Sequence, residues 1–120
     1  GQGVAPGDAD GDGWVDFYVT NFGPDVFVTG GPGARFEDRT LESGLFDARW
    51  TSGASFFDAD LDGWPDLYVT NDSTPNFLLW NQAGRSFREI GKQAGCALNA
   101  DGLTEAGMGV ECADVDLDGD

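Results

Sequence analysis

The chain has 120 residues, 40% of them hydrophobic, with nine Phe and four Trp, which is one domain's length with material for a core. Twenty-two acidic residues against six basic ones give a net charge of −16, and such a balance excludes the Lys/Arg stripe that nucleic acid requires. Histidine is absent, which removes the commonest general base and the commonest zinc ligand. No run of about 18 apolar residues marks a direct membrane span, and no basic-then-apolar leader is visible. Gly1 does not look like a natural start, so a leader removed upstream remains compatible with the sequence.

In chain order, a lead-in at 3–7 reaches Asp8-Ala-Asp10-Gly-Asp12-Gly13-Trp14-Val-Asp16, followed by Phe-Tyr-Val-Thr-Asn21. The same order returns 50 residues later as Asp58-Ala-Asp60-Leu-Asp62-Gly63-Trp64-Pro-Asp66-Leu-Tyr-Val-Thr-Asn71. A third copy opens at Asp114-Val-Asp116-Leu-Asp118-Gly119-Asp120. Downstream of the loops, Phe27-Val-Thr answers Phe77-Leu-Leu, and after one inserted residue Arg35-Phe36-Glu37 answers Ser86-Phe87-Arg88. Internal repetition at this period points to a blade or solenoid architecture.

Each unit reads as four short strands, shown here for the second. One strand (54–57) leads into the Asp loop and another (67–70) leaves it, both rich in aromatic and β-branched residues. A turn at 71–75, a strand at 76–81, a hairpin turn at 82–85 and a strand at 86–90 complete the unit. In the first unit Gly30-Gly31-Pro32-Gly33 takes the hairpin turn. Segments 38–52 and 91–107 read as loops, with one helical turn near residues 40–43. The expected fold is all-β, with propeller blades of four antiparallel strands. Residues 1–52 and 53–108 form two blades, and 109–120 start a third, truncated one. A chain that stops inside a ligand loop reads as a piece of a longer protein, whose missing blades or other chains would cover its flanks.

The loops carry the chemistry. Asp at positions 1, 3, 5 and 9 with Gly at 6 lets a tight turn wrap one cation in hard oxygen ligands, the glycine supplying backbone angles that side chains resist. Oxygen-only ligation in a flexible loop favours Ca²⁺ over zinc, copper or Mg²⁺. The candidate ligands are Asp8, Asp10, Asp12 and Asp16; Asp58, Asp60, Asp62 and Asp66; and Asp114, Asp116 and Asp118. Trp14, Trp64 and Asp120 would offer main-chain carbonyls at position 7. An EF-hand would need a bidentate Glu at position 12 and flanking helices, but that position holds Val19 and Val69 in strand-like sequence. A single Asp/Gly run is usually a solvated turn; two full copies and a truncated one between strands overturn that reading. Twelve of the 22 acidic residues lie in these loops, so the charge is organised around cations rather than spread as a disordered tail.

The pattern D-x-D-x-D-G-x-x-D-[LF]-Y-V-T-N resembles the FG-GAP/VCBS repeat of integrin α-subunit propellers and many secreted bacterial proteins. Ala106-Gly-Met-Gly-Val110 and the stretch from Asn71 to Asn81 look most like the ASPIC/UnbV group, which includes cartilage acidic protein. The resemblance implies a roughly seven-bladed propeller, Ca²⁺ between the first two strands of each blade, and adhesion or protein interaction. The integrin Phe-Gly and Gly-Ala-Pro signatures are only loosely present.

Other residues carry weaker signals. Trp14 and Trp64 occupy matching loop positions, where they can cover the loop, fill the space between blades or, on a rim, stack on sugars; Trp50 and Trp80 do not match each other. Asn71-Asp72-Ser73 fits an N-glycosylation acceptor, but its counterpart Asn21-Phe22-Gly23 does not, so the shared Asn reads as bonding its own turn. Cys96 and Cys112 fit one disulfide of a secreted protein or two buried thiols. Ser52, Ser55, Ser73 and Thr74 have no histidine to activate them. The expected function is a non-enzymatic, calcium-binding repeat protein for protein interaction or adhesion, extracellular or periplasmic. The alternatives are a carbohydrate-binding propeller lectin or the non-catalytic part of a secreted enzyme.

Overall fold

The computed structural model describes residues 3–21, 23–45, 51–104, 110–113 and 117. Among these residues, eight strands form two four-stranded antiparallel sheets, each joined strictly in chain order. In the first, β1 (Gly3–Gly7), β2 (Asp16–Thr20), β3 (Val26–Gly31) and β4 (Arg35–Asp38) lead to a single helical turn, α1 (Thr40–Ser43). The second repeats this with β5 (Thr51–Phe57), β6 (Asp66–Asn71), β7 (Phe77–Asn81), β8 (Phe87–Glu89) and α2 (Gly91–Ala94). The molecule is all-β with the meander sheets of propeller blades. The helical turn expected at 40–43 is present, and its counterpart at Gly91–Ala94 stands where the sequence suggested only loop.

Alternation within the strands decides what lies between the sheets. Ala5, Tyr18 and Phe27 stand opposite one another on β1, β2 and β3, and all three are buried. They face the second sheet, whose Leu67, Val69 and Leu79 join the same cluster with Leu45, while Ala54, Phe56, Phe77 and Phe87 pack against it. Phe27 meets Phe87 edge-on, with ring centroids 5.9 Å apart. Leu67 and Val69 are wholly buried, each contributing about 1.5–3 kcal/mol from removal of its side chain from water. β5 lies beside β1, and a Cβ on Gly7 would meet Phe56 Cδ2 at 2.8 Å. The two sheets therefore bury each other, which neither can do alone.

The register corrects one sequence expectation. Tyr18 pairs with Phe27 but Tyr68 pairs with Leu78, so Phe27 answers Leu78 rather than Phe77. The extra residue of the second unit sits before β7, in the turn, and not after it. Asn21 N–H is capped by Asp25 Oδ1 four residues on, and Asn71 N–H by Asn76 Oδ1 five residues on; the extra residue lies among 72–74, before the shared proline. Gly30 and Gly31 likewise belong to β3, leaving the hairpin turn to Pro32–Ala34. A Cβ at Gly30 would lie 2.2 Å from Val15 O, so the strand can pass the loop only as glycine.

Candidate metal centre

Each Asp loop joins the first two strands of its sheet and is built from its own carboxylates. In the first, Asp8 Oδ1 accepts the Asp12 N–H at 3.1 Å and Asp8 Oδ2 the Gly13 N–H at 2.9 Å. Asp12 Oδ1 accepts the Trp14 N–H at 2.8 Å. The second loop reproduces these bonds through Asp58 and Asp62. Position 6 needs a left-handed backbone, with φ of 88° at Gly13 and 92° at Gly63, which glycine adopts freely. Position 4 is also left-handed, at Gly11, Leu61 and Leu117, with φ of 71°, 59° and 61°. Leu117 is the described residue of the third loop, and it repeats the turn of the other two. Asp114, Asp116, Asp118 and Asp120 lie outside the described residues, as does Trp50.

The turns converge three carboxylates at each site. Asp8, Asp10 and Asp16 bring ligand oxygens within 4.8 Å of one another, and Asp58, Asp60 and Asp66 do the same. Asp12 and Asp62 are not part of these groups; each uses an oxygen to cap the turn that follows. Asp16 and Asp66 are buried and brace the loop as well. Asp16 Oδ2 accepts the Ala9 N–H at 2.7 Å and its Oδ1 the Gly30 N–H at 2.9 Å. Asp66 bonds the N–H groups of Ala59 at 2.9 Å and Asn81 at 2.7 Å.

Such crowding disfavours charge. Burial pushes the Asp10 carboxyl up to about 6, with repulsion from Asp16 and Asp12 adding to it against a bond from the Asp12 N–H. Burial also raises Asp16 and Asp66, opposed by their backbone N–H partners. A cation among the oxygens reverses this balance. The donor set holds only oxygen, which suits a hard divalent ion. These acidic clusters are fitted to hold a metal ion.

Several contacts around the sites were not legible in the sequence. The second loop leans on the first: Trp64 is half-buried, and a Cβ on Gly11 would meet its Cζ3 at 2.8 Å. A Cβ on Gly84 would meet Trp64 at 2.6 Å and Asp10 Cα at 3.1 Å. Trp64 thus fills the space between the sheets, one of the placements expected for it, whereas Trp14 is 44% exposed. Trp80, the unmatched tryptophan, donates its indole N–H to Asp60 Oδ2 at 2.7 Å and lies under Arg88, whose Cζ is 5.9 Å from the ring centre. Asn71 is buried and donates to Pro75 O at 2.8 Å, so it bonds its own turn, as expected, and is closed to glycosylation. Asn21 does the same with Pro24 O at 3.0 Å.

A family model for the FG-GAP-like repeat matches residues 8–69 and again 58–120. The chain belongs to the FG-GAP-like repeat family. No curated protein sequence matches it. Each FG-GAP-like match starts on the first aspartate of a loop, Asp8 or Asp58, and runs on into the next loop. The second match therefore takes in the third copy from Asp114 to Asp120. The repeat unit and the loop-to-loop period read from the sequence coincide.

Proposed function

We propose that the chain is a calcium-stabilised stretch of an FG-GAP-like propeller, outside the cytoplasm, that serves protein interaction or adhesion and catalyses no reaction. The observation that carries this is the pair of equivalent carboxylate groups, Asp8/Asp10/Asp16 and Asp58/Asp60/Asp66, each within 4.8 Å in a matched repeat. Those residues would hold Ca²⁺, with Asp12, Asp62 and the carbonyls of Trp14 and Trp64 available to complete the shell. The ion supplies charge neutralisation to a loop whose carboxylates otherwise repel, and so fixes the first two strands of each blade. The stretches at 71–81 and 106–110 support a place in the ASPIC/UnbV group. Among the described residues no helix is long and apolar enough to cross a membrane.

Calorimetric titration of the metal-free chain tests the reading. Binding of Ca²⁺ at both complete loops is expected, with Asp58→Ala and Asp8→Ala each removing one site. No heat and no change in melting temperature on adding millimolar Ca²⁺ would discard it. The exposure of Trp14 favours a second reading, carbohydrate binding, in which the indole stacks on a sugar face. A glycan array separates the two: glycan binding lost in Trp14→Ala supports the lectin, and a blank array supports protein recognition.

A further inference from the structure

Cys96 and Cys112 are free thiols, each half-buried, and the repeat tells what their places are for. Leu45 follows Gly44, the left-handed residue that closes α1; Cys96 follows Gly95, which closes α2 in the same way. Phe56 stands two residues before Asp58, and Cys112 two residues before Asp114. Leu45 belongs to the core between the two sheets, and Phe56 packs against that core. One unit further along, the two cysteines occupy the corresponding pair of places.

Tyr68 supplies a second, independent observation. It lies on the face of β6 opposite to Leu67 and Val69, and its hydroxyl donates to Cys96 O at 2.8 Å. The main chain of Cys96 is thus held against that face. Burial, with the Glu89 carboxylate adding, raises the Cys96 thiol, which suits a structural sulfur rather than a reactive one.

We propose that Cys96 and Cys112 form a disulfide that ties the end of the second repeat to the segment leading into the third loop. The S–S bond forms between the two Sγ atoms, which give up two protons and two electrons. The acceptor is a disulfide oxidant, protein or small molecule, whose own S–S bond is cleaved to two thiols. The pairing takes the place of the apolar contribution that Leu45 and Phe56 make at the preceding junction. It is independent of the calcium reading.

The test is thiol counting and fragment mapping on the full chain after equilibration with oxidised glutathione. Alkylation is done in denaturant, so that burial alone protects nothing. No Lys or Arg follows Lys92, so trypsin leaves both cysteines on one peptide; cleavage after Glu105 and Glu111 separates them. The expected result is loss of both alkylatable thiols in a monomer, with the Cys96 and Cys112 fragments linked until reductant restores two thiols. In Cys96→Ser the remaining Cys112 should alkylate fully or carry glutathione. Two free thiols in the oxidised wild-type chain overturn the proposal, as do glutathione adducts on both or a link between two chains.

Discussion

Asn81 ties the two Asp loops together: its Nδ2 donates to Ala9 O at 2.8 Å, across 72 residues of chain. The Ala9 N–H is itself bound to Asp16 Oδ2 at 2.7 Å, and the Asn81 N–H to Asp66 Oδ1 at 2.7 Å. A hydrogen-bonded path thus runs from the buried carboxylate of one site to that of the other. The side chain is fully used, since Nδ2 also meets Pro65 O at 2.8 Å and Oδ1 accepts the Gly84 N–H at 2.8 Å. Asn81→Ala strands these groups and should destabilise the chain by about 2–3 kcal/mol in denaturant unfolding. Calcium titration of the variant should show weaker binding at both loops, because a shared brace couples them. Weakening confined to the second loop would refute the coupling.

Two glycines separate steric need from backbone need. At Gly30 a Cβ would stand 2.2 Å from Val15 O, a main-chain atom that cannot rotate away. Gly30→Ala should cost about 3 kcal/mol and disturb the first loop, whose Asp16 bonds the Gly30 N–H. At Gly33 φ is 73° but nothing lies within 4 Å, so Gly33→Ala should cost only about 1 kcal/mol. Equal melting temperatures for the two variants would contradict this ranking.

Local chemistry that repeats was legible in the sequence; contacts between units were not. The Asp/Gly loops, the four strands per unit and the turn-bonding role of Asn71 follow from residues close in the chain, seen twice. Asp12 and Asp62 looked like their neighbours in composition, yet their oxygens cap the Trp14 and Trp64 N–H groups, a choice only the turn geometry makes. Asn81 answers Gly30, each giving its N–H to the position-9 aspartate, so comparing the copies hid the residue whose side chain crosses between them. Trp80 stood out as unmatched, and its partner Asp60, 20 residues away, is a matter of register.

That same Trp80 bond should matter to one site only. Asp60 presents Oδ2 to the indole at 2.7 Å, which orients the carboxylate toward the cluster. Trp80→Phe should lower calcium affinity at the second loop by about tenfold, as loss of a ligand-orienting partner does, and leave the first loop unchanged. A calorimetric titration with two unequal sites is the expected signature. Two sites of unaltered affinity would show that the bond orients nothing.

On the proposed reading, protons and calcium would compete at Asp10. Its folded-state value, raised from 3.8 to about 6 mainly by burial, means that the metal-free native chain keeps a proton that the unfolded chain has lost. The stability this gives is fully present below pH 3.8 and disappears as pH rises through about 6. In chelator, stability should therefore decline across that window, and Asp10→Asn should flatten the decline. With excess Ca²⁺ the sign reverses, because the ion must displace the proton, and affinity should drop as pH falls below about 6. A metal-free melting curve identical for wild type and Asp10→Asn at all pH values would rule this out.

The last prediction concerns the seam between the sheets on the far side from the loops. Asp25 is buried; its Oδ2 accepts from Tyr18 at 2.6 Å and from Thr51 Oγ1 at 2.7 Å, and its Oδ1 from the Asn21 N–H at 2.8 Å. Thr51 belongs to the second sheet, so this carboxylate fastens one unit to the next. The second unit uses Asn76 at the equivalent place, where its Nδ2 donates to the Tyr68 hydroxyl at 3.2 Å and frees that hydroxyl for Cys96 O. Asp25→Ala should cost about 3 kcal/mol, since the buried Tyr18 and Thr51 hydroxyls and the half-buried Asn21 N–H lose their shared acceptor. Thr51→Val, which keeps the volume and removes one donor, should cost about 1 kcal/mol. Because the two residues share a bond, the double variant should be less destabilised than the sum of the single changes by about 1 kcal/mol. Strict additivity in a double-mutant cycle would mean that Asp25 stabilises its own turn alone and leaves the seam to the apolar core.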